Sequence, residues 1–248
     1  EYMEVAQENR LIVKKPKIYL NYKEMLAQED LDACAICTIS GSRPPIAIDC
    51  MNSKKHILVE KPMTLSLSDA DRMIETAEKN RVKLSVSHQL RFKAVMKRIK
   101  EALQERRLGK IISMSTNILR NRNKEYYNQA KWRGTWELDG GCLLNQCSHH
   151  VDLLQWFMDS EIYSIYGQTD NFTHPYIETE DYGSITIRYK NGSIGNIEGT
   201  VSVYPKNLNE SLTIIGEKGT VAIGGLGLNK ILTWNFAGKK ESAEEVQK

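Results

Sequence analysis

The chain has 248 residues, 41% hydrophobic and 26% charged, with a formal net charge of +3. That length holds two modest domains with their own cores, and the balance excludes a disordered chain. No apolar run approaches a bilayer span, no signal peptide is visible, and the charge gives no argument for nucleic acid, so a cytoplasmic setting is expected.

The first part alternates helix and strand. Residues 22–28 read as a helix, 33–39 as a strand ending in Ser40-Gly41, 44–52 as a helix and 56–60 as a second, buried strand. Ser66 is a plausible cap for a helix with Ala70, Met73, Ile74 and Ala77 on one face, and 82–86 is a third strand. Such alternation implies a parallel sheet with crossover helices. Five cysteines, an odd number, suit reduced thiols. Cys34 and Cys37 stand three apart in a strand pattern and so face opposite ways; no metal site is expected.

Lys61-Pro62 follow the second strand directly. Proline disfavours the α region for the residue before it, so Lys61 is expected to be extended at the strand's carboxyl end, where open α/β sheets bind ligands. An ammonium fixed there stabilises an oxyanion as charge develops. The bland alternative is a surface lysine paired with Glu60.

After Arg91 the pattern changes. A helix over 94–106, whose basic cluster reads as a solvated face, leads to a strand over 111–118 and a polar stretch. Gly140-Gly141 then open an apolar run. A helix starting near Leu143, at about 100° per residue, puts Asn145, His149, Asp152 and Trp156 on one stripe. Cys147, Val151, Leu154 and Met158 fall on the opposite, core-facing side. His149 is then the imidazole aimed at a site, with a satisfied core histidine as the competing reading, and His150 points away. From Ser184 onward only strands and turns are expected: 184–189 and 193–203 joined at Asn191-Gly192, then 212–215 and 220–223. The fold class is therefore α/β followed by an α+β domain with a mostly antiparallel sheet. The boundary falls near 92–108, dividing the chain into 1–100 and 101–248.

Several motifs together resemble the Gfo/Idh/MocA oxidoreductases from about Tyr22 to Trp234. They are Val59-Glu60-Lys61-Pro62, His88-Gln89-Leu90-Arg91-Phe92, Trp132-Arg133-Gly134-Thr135-Trp136 with the Gly-Gly helix, Glu178-Thr179-Glu180-Asp181, Asn191-Gly192 and Gly216-Glu217-Lys218-Gly219-Thr220. The Asn145-Gln146 opening and the Trp-Arg-Gly-Thr-Trp run are most similar to the branch that oxidises UDP-N-acetylglucosaminuronate at the sugar 3-position. The resemblance implies a Rossmann-type dinucleotide-binding domain, NAD as cofactor with NADP left open, and hydride transfer between a sugar alcohol and nicotinamide. It implies His149 as base, Lys61 on the same oxygen, and Asn145 where many relatives carry Asp. Thr38, Ser40, Gly41, Glu60, Lys61, Pro62 and Gln89 would hold cofactor. Trp132 and Arg133 would reach cofactor or substrate, or pack on an apolar surface. Tyr126 and Tyr127 would belong to a substrate loop, and Asp152 fixes the imidazole or a neighbouring backbone, or else makes a helix-surface ion pair.

The resemblance also marks what this chain lacks. Around Ile39 and Arg43, where Pro and His are usual, it departs from the family. The usual glycine-rich phosphate turn is absent before Tyr22, and Gly224-Gly225-Leu226-Gly227 is no substitute, so the expectation is an internal piece of a longer protein that binds cofactor poorly or not at all. A homo-oligomer, dimer or tetramer, through the second-domain sheet is implied. Tyr182, Ile185, Ile187, Tyr189, Ile194, Ile197 and Val201 are its candidates, and an ordinary core explains them equally well. Two alternatives stand beside the sugar-nucleotide enzyme: a dehydrogenase of another polyol or amino sugar, and a non-catalytic ligand-binding or assembly module. Retention of both Lys61 and His149 favours an enzyme.

Overall fold

The computed structural model describes residues 16–238 and 243–247. Most of the stretch searched for a glycine-rich turn, residues 1–15, lies outside the described residues.

Three parallel strands, β1 (Ala33–Ile36), β2 (His56–Glu60) and β3 (Leu84–Ser87), pair in the order β1-β2-β3. Helices α1 (Tyr22–Gln28), α2 (Arg43–Asn52) and α3 (Leu67–Asn80) connect or precede them. The Ser66 hydroxyl accepts the Asp69 amide at 3.2 Å, which fixes the start of α3 as the cap pattern predicts. Ile36, Ala47, Met51, Ile57, Val59, Met73 and Ala77 form the core of this layer. Burial alternates along β1 and β2, so only one face of the sheet is covered. The buried strand expected at 56–60 is therefore half-exposed, with Leu58 at 47%. The strand expected over 33–39 stops at Ile36, its last partner being Val59.

The second sheet has seven strands in the order β10-β9-β8-β4-β7-β6-β5. They are β4 (Ile111–Leu119), β5 (Ile162–Asp170), β6 (Tyr182–Tyr189), β7 (Ile194–Thr200), β8 (Asn209–Gly216), β9 (Gly219–Gly224) and β10 (Lys230–Phe236). All pairs are antiparallel except β4 with β7. Helices α4 (Ala94–Gln104) and α6 (Ser148–Met158) share one core with this sheet: Met96 and Ile99 join Leu153, Leu154 and Phe157 against Met114, Ile118 and Leu212. A short α5 (Lys124–Asn128) lies between β4 and the Gly-Gly run. A terminal helix α7 (Ala243–Gln247) corrects the expectation of strands alone after Ser184. Ile187, Tyr189, Ile197 and Val201, offered as an assembly surface, are buried in the core instead. The opposite face exposes Ser184, Thr186, Arg188 and Asn196.

The helix expected from Leu143 is the main local departure. Cys142–Gln146 form one π-helical turn, closed by the Cys147 amide on the Cys142 carbonyl at 3.0 Å, and the α-helix begins only at Ser148. The turn is held from outside: the Leu143 amide donates to Glu180 Oε1 at 2.8 Å and the Cys142 amide to the Glu180 carbonyl at 3.3 Å. Gly140 and Gly141 lead in at φ +88° and +87°. A Cβ on Gly141 would sit 2.1 Å from Glu180 Oε2, so only glycine admits the carboxylate that caps the turn. Val151, assigned to the core side of a continuous helix, is 37% exposed.

Gly141→Ala combines a left-handed backbone with a side-chain collision. It is expected to cost about 1–3 kcal/mol, measured as a lower urea midpoint; an unchanged midpoint would show that Glu180 is not confined as described.

Candidate active site

Lys61 lies just past β2, before a cis peptide to Pro62. Its ammonium crosses to the second layer, with Nζ 2.8 Å from the Asn145 carbonyl and 3.0 Å from Asn145 Oδ1. The surface pairing with Glu60 is not what forms, since Glu60 Oε2 instead accepts the Lys61 amide at 3.1 Å. Buried Arg43, the position where the sequence departs from its relatives, ties the strand ends together. Its guanidinium donates to the carbonyls of Thr38 at 2.9 Å, Glu60 at 3.1 Å and Pro62 at 2.6 Å. Burial lowers the Lys61 pKa, and the charges of Arg120 and Arg43 act the same way against Glu60 and Asp139.

One amide holds the ammonium, and a carboxylate holds the amide. Asn145 Nδ2 donates to Asp139 Oδ1, while Asp139 Oδ2 accepts the Gly134 amide at 2.6 Å. A carboxylate on one side and an ammonium on the other fix which end of the Asn145 side chain is oxygen. Asp139 is only 4% exposed. Burial pushes its pKa up; the bonds from Gly134 and Asn145 and the charges of Arg133 and Lys61 oppose that. Sequence reasoning missed Asp139, which reads as a turn residue before two glycines.

His149 follows one helical turn later. Its Nδ1 is buried without a partner and its ring meets His88 edge-on, with centroids 5.7 Å apart. Burial, then the positive charge of Lys61 and the neighbouring groups His88, His150 and Arg120, bring its pKa down to about 3. The ring is a neutral base at physiological pH.

Where α6 is regular, the foreseen stripe holds. Asp152 accepts both Arg91 Nε, at 2.7 Å, and Arg91 NH2, with His88 Nδ1 at 3.6 Å. Trp156 lies beneath the cations of Arg91 and Lys100, each 5.2 Å from a ring centroid. Of the roles left open for Asp152, the structure contains an ion pair, with Arg91. His150 faces the other way, 1% exposed, with Nε2 3.4 Å from Glu210 Oε2. Arg120 donates to the same carboxylate at 2.8 and 2.6 Å. Burial alone would raise the Glu210 pKa, but His150 and Arg120 outweigh it and hold the group at about 2.

The remaining candidates are spread around this centre. Thr38 is exposed and Ser40 is buried in the turn after β1. Gly41 is where the layers touch: its amide reaches the Leu138 carbonyl at 3.4 Å, and a Cβ would lie 2.3 Å from the Glu137 carbonyl. Exposed Gln89 opens a tight turn after β3. Tyr127 packs edge-on against His174 and Tyr176 at 5.6 and 5.9 Å, and burial raises its pKa. Arg133 lies over the Tyr126 and Trp132 rings. Thus Lys61 and Asn145 are in contact and the Lys61 charge reaches His149; Tyr127 and Gln89 make no hydrogen bond to any of the three among the described residues. The carboxyl edge of the parallel strands, with Thr38 and Gln89 exposed, suits a dinucleotide crevice.

Glu210 titrates below its ordinary value in the folded protein, so its stabilisation is present above the usual carboxylate pKa and is lost as pH falls through about 2. Glu210→Gln is expected to be less stable than the parent at pH 7, with the gap narrowing towards pH 3 in thermal melts. A gap independent of pH would contradict the His150–Glu210–Arg120 arrangement.

Residues 4–88 match the oxidoreductase family with an NAD-binding Rossmann fold, and residues 96–222 match the GFO/IDH/MocA C-terminal domain. The WlbA dehydrogenase of Bordetella pertussis, solved with NADH and UDP-GlcNAcA, is 40% identical over 89% of this chain and 67% of its own, with a TM-score of 0.85. The WlbA dehydrogenase of Chromobacterium violaceum, solved with the same two ligands, is 36% identical over 99% of this chain and 69% of its own, with a TM-score of 0.88. Myo-inositol 2-dehydrogenase of Thermotoga maritima is 26% identical over 87% of this chain. The chain spans 65% of that relative's length and 58% and 61% of two other curated relatives. The chain belongs to the Gfo/Idh/MocA family of oxidoreductases.

Proposed function

We propose that the protein transfers a hydride between NAD and a secondary alcohol of a sugar nucleotide, at C3 of a UDP-linked N-acetylglucosaminuronate. The observation that carries this reading is the Lys61 ammonium held by two neutral oxygens of Asn145, in the electrostatic reach of an uncharged His149. An alcohol gives up hydride readily only as its oxygen approaches an alkoxide. Lys61 stabilises that developing charge, and His149 takes the proton. Before substrate binds, Lys61 repels a proton from the imidazole. The alkoxide charge then offsets that repulsion as the proton moves. Asn145 orients but cannot accept a proton, so acid–base work falls to Lys61 and His149.

When bound, NAD supplies the hydride acceptor; Thr38, Glu60 and Gln89 at the carboxyl edge of the first sheet are the residues that would hold it. Two relatives above 35% identity were solved with NADH and UDP-GlcNAcA, which favours a sugar nucleotide. Matches to inositol dehydrogenases support a second reading, oxidation of a free polyol. Among the described residues no helix is long and apolar enough to cross a membrane. Strand β5 exposes Tyr163 at 74%, Ile165 at 60% and Tyr166 at 69%, which supports a homo-oligomer through the second sheet.

The full-length protein with NAD is expected to form NADH with UDP-N-acetylglucosaminuronate and little with myo-inositol. The reverse preference would establish the polyol reading, and bound cofactor without any turnover would point to an assembly module. Lys61→Ala and His149→Ala are each expected to lower kcat/KM roughly 10²–10⁴-fold while the protein stays folded; near-normal rates in either would refute the assignment.

The pH profile gives a separate check. With a pKa of about 3, His149 stays unprotonated far below the usual imidazole range. The kcat/KM for alcohol oxidation should therefore show no imidazole limb as pH falls from 8 to 6; a limb near pH 6.5 that disappears in His149→Ala would contradict this electrostatic account.

A further inference from the structure

Beside the Lys61–Asn145 centre lie two guanidinium groups that make no ion pair among the described residues. Arg122 and Arg133 pack on one aromatic ring, with their guanidinium carbons 4.9 and 4.0 Å from the centroid of Tyr126. Arg133 also lies 5.0 Å from the Trp132 ring centre, and its Nε is buried without a hydrogen-bond partner. Among the described residues Arg122 donates to neutral acceptors, Gln146 Oε1 at 3.2 Å and the Asn121 carbonyl at 2.9 Å. The contrast with Arg120 is direct, since that side chain is spent on Glu210. Arg133 feels the charge of Asp139, but both oxygens of that carboxylate are already taken by Gly134 and Asn145.

Arg122 is also held firmly. The Arg122 amide donates to the Val201 carbonyl at 2.9 Å, and the Arg122 carbonyl accepts from His174 Nε2 at 2.7 Å. Gln146 donates to the Tyr126 hydroxyl at 3.1 Å while accepting from Arg122, and it follows Asn145 in the chain. Like charges stacked on one ring repel each other and gain most from an anion that bridges them.

We infer that Arg122, together with Arg133, forms an anion subsite that holds a charged substituent of the substrate next to the reacting alcohol. The inference rests on the sugar-nucleotide reading above and adds Arg122 as a specificity-determining residue. Two groups of such a substrate offer the required anionic oxygens, the sugar carboxylate and the diphosphate.

The test is calorimetric binding to the full-length, NADH-bound protein and to its Arg122→Gln and Arg122→Lys variants. Three probes are used: UDP-N-acetylglucosaminuronate, UDP-N-acetylglucosamine without the carboxylate, and the methyl glycoside of N-acetylglucosaminuronate without the diphosphate. Arg122→Gln is expected to weaken the first at least about tenfold, with Arg122→Lys in between. If the carboxylate is the ligand, the loss persists with the methyl glycoside and disappears with UDP-N-acetylglucosamine; if the diphosphate is, the pattern reverses. Equal affinity of parent and Arg122→Gln for all three probes would overturn the inference, as would a parent that binds none of them. Binding with the expected Arg122 dependence but no turnover would leave the subsite standing and remove only the proposed reaction.

Discussion

The side chain of Asn145 stands between a buried carboxylate and a half-buried ammonium, and the proposed catalytic arrangement depends on that placement. Its nitrogen is committed to Asp139, so its oxygen must face Lys61. An ammonium taken out of water needs acceptors, and here both come from one residue without a formal charge. An aspartate at this position, as the resemblance implies for many relatives, would pair with the ammonium and cancel much of its field. Asparagine takes up two of the three ammonium donors without adding a negative charge, which in the proposed mechanism leaves more of the field for an alkoxide and for the imidazole of His149.

Several contacts join the two layers around this geometry. Arg43 locks the ends of β1 and β2, which sets the direction of Lys61. Gly41 lets the turn after β1 rest on the backbone at Glu137 and Leu138, just before Asp139. On the other side, the Arg91–Asp152 pair and the His88–His149 contact join the end of the first layer to α6. A small slide between layers would therefore move Lys61 relative to His149, and substitutions at Arg43 or Arg91 act on the site without touching substrate.

Much of this frame was legible in residue order. Alternating strand and helix gave the parallel sheet, the lysine before Pro62 sits at its carboxyl edge, and helical spacing separated His149 from His150. The parts that escaped depend on contacts distant in sequence. The π-helical turn is held by Glu180, thirty-seven residues beyond Leu143, so a regular α period started the helix too early and placed Val151 in the core. Edge strand β5, exposed at every position, carries no alternation to read. Asp139 and Arg122 lie in irregular segments where spacing has no meaning; only the burial of one and the lack of a counter-charge at the other mark them.

A crystal structure of the full-length protein with NADH and UDP-N-acetylglucosaminuronate would test the central claim most directly. Lys61 Nζ and a ring nitrogen of His149 should each lie within about 2.6–3.2 Å of the same sugar oxygen, with the Asn145 amide still bridging Lys61 and Asp139. A sugar oxygen held by only one of those nitrogens, or a Lys61 ammonium turned away from Asn145, would contradict it.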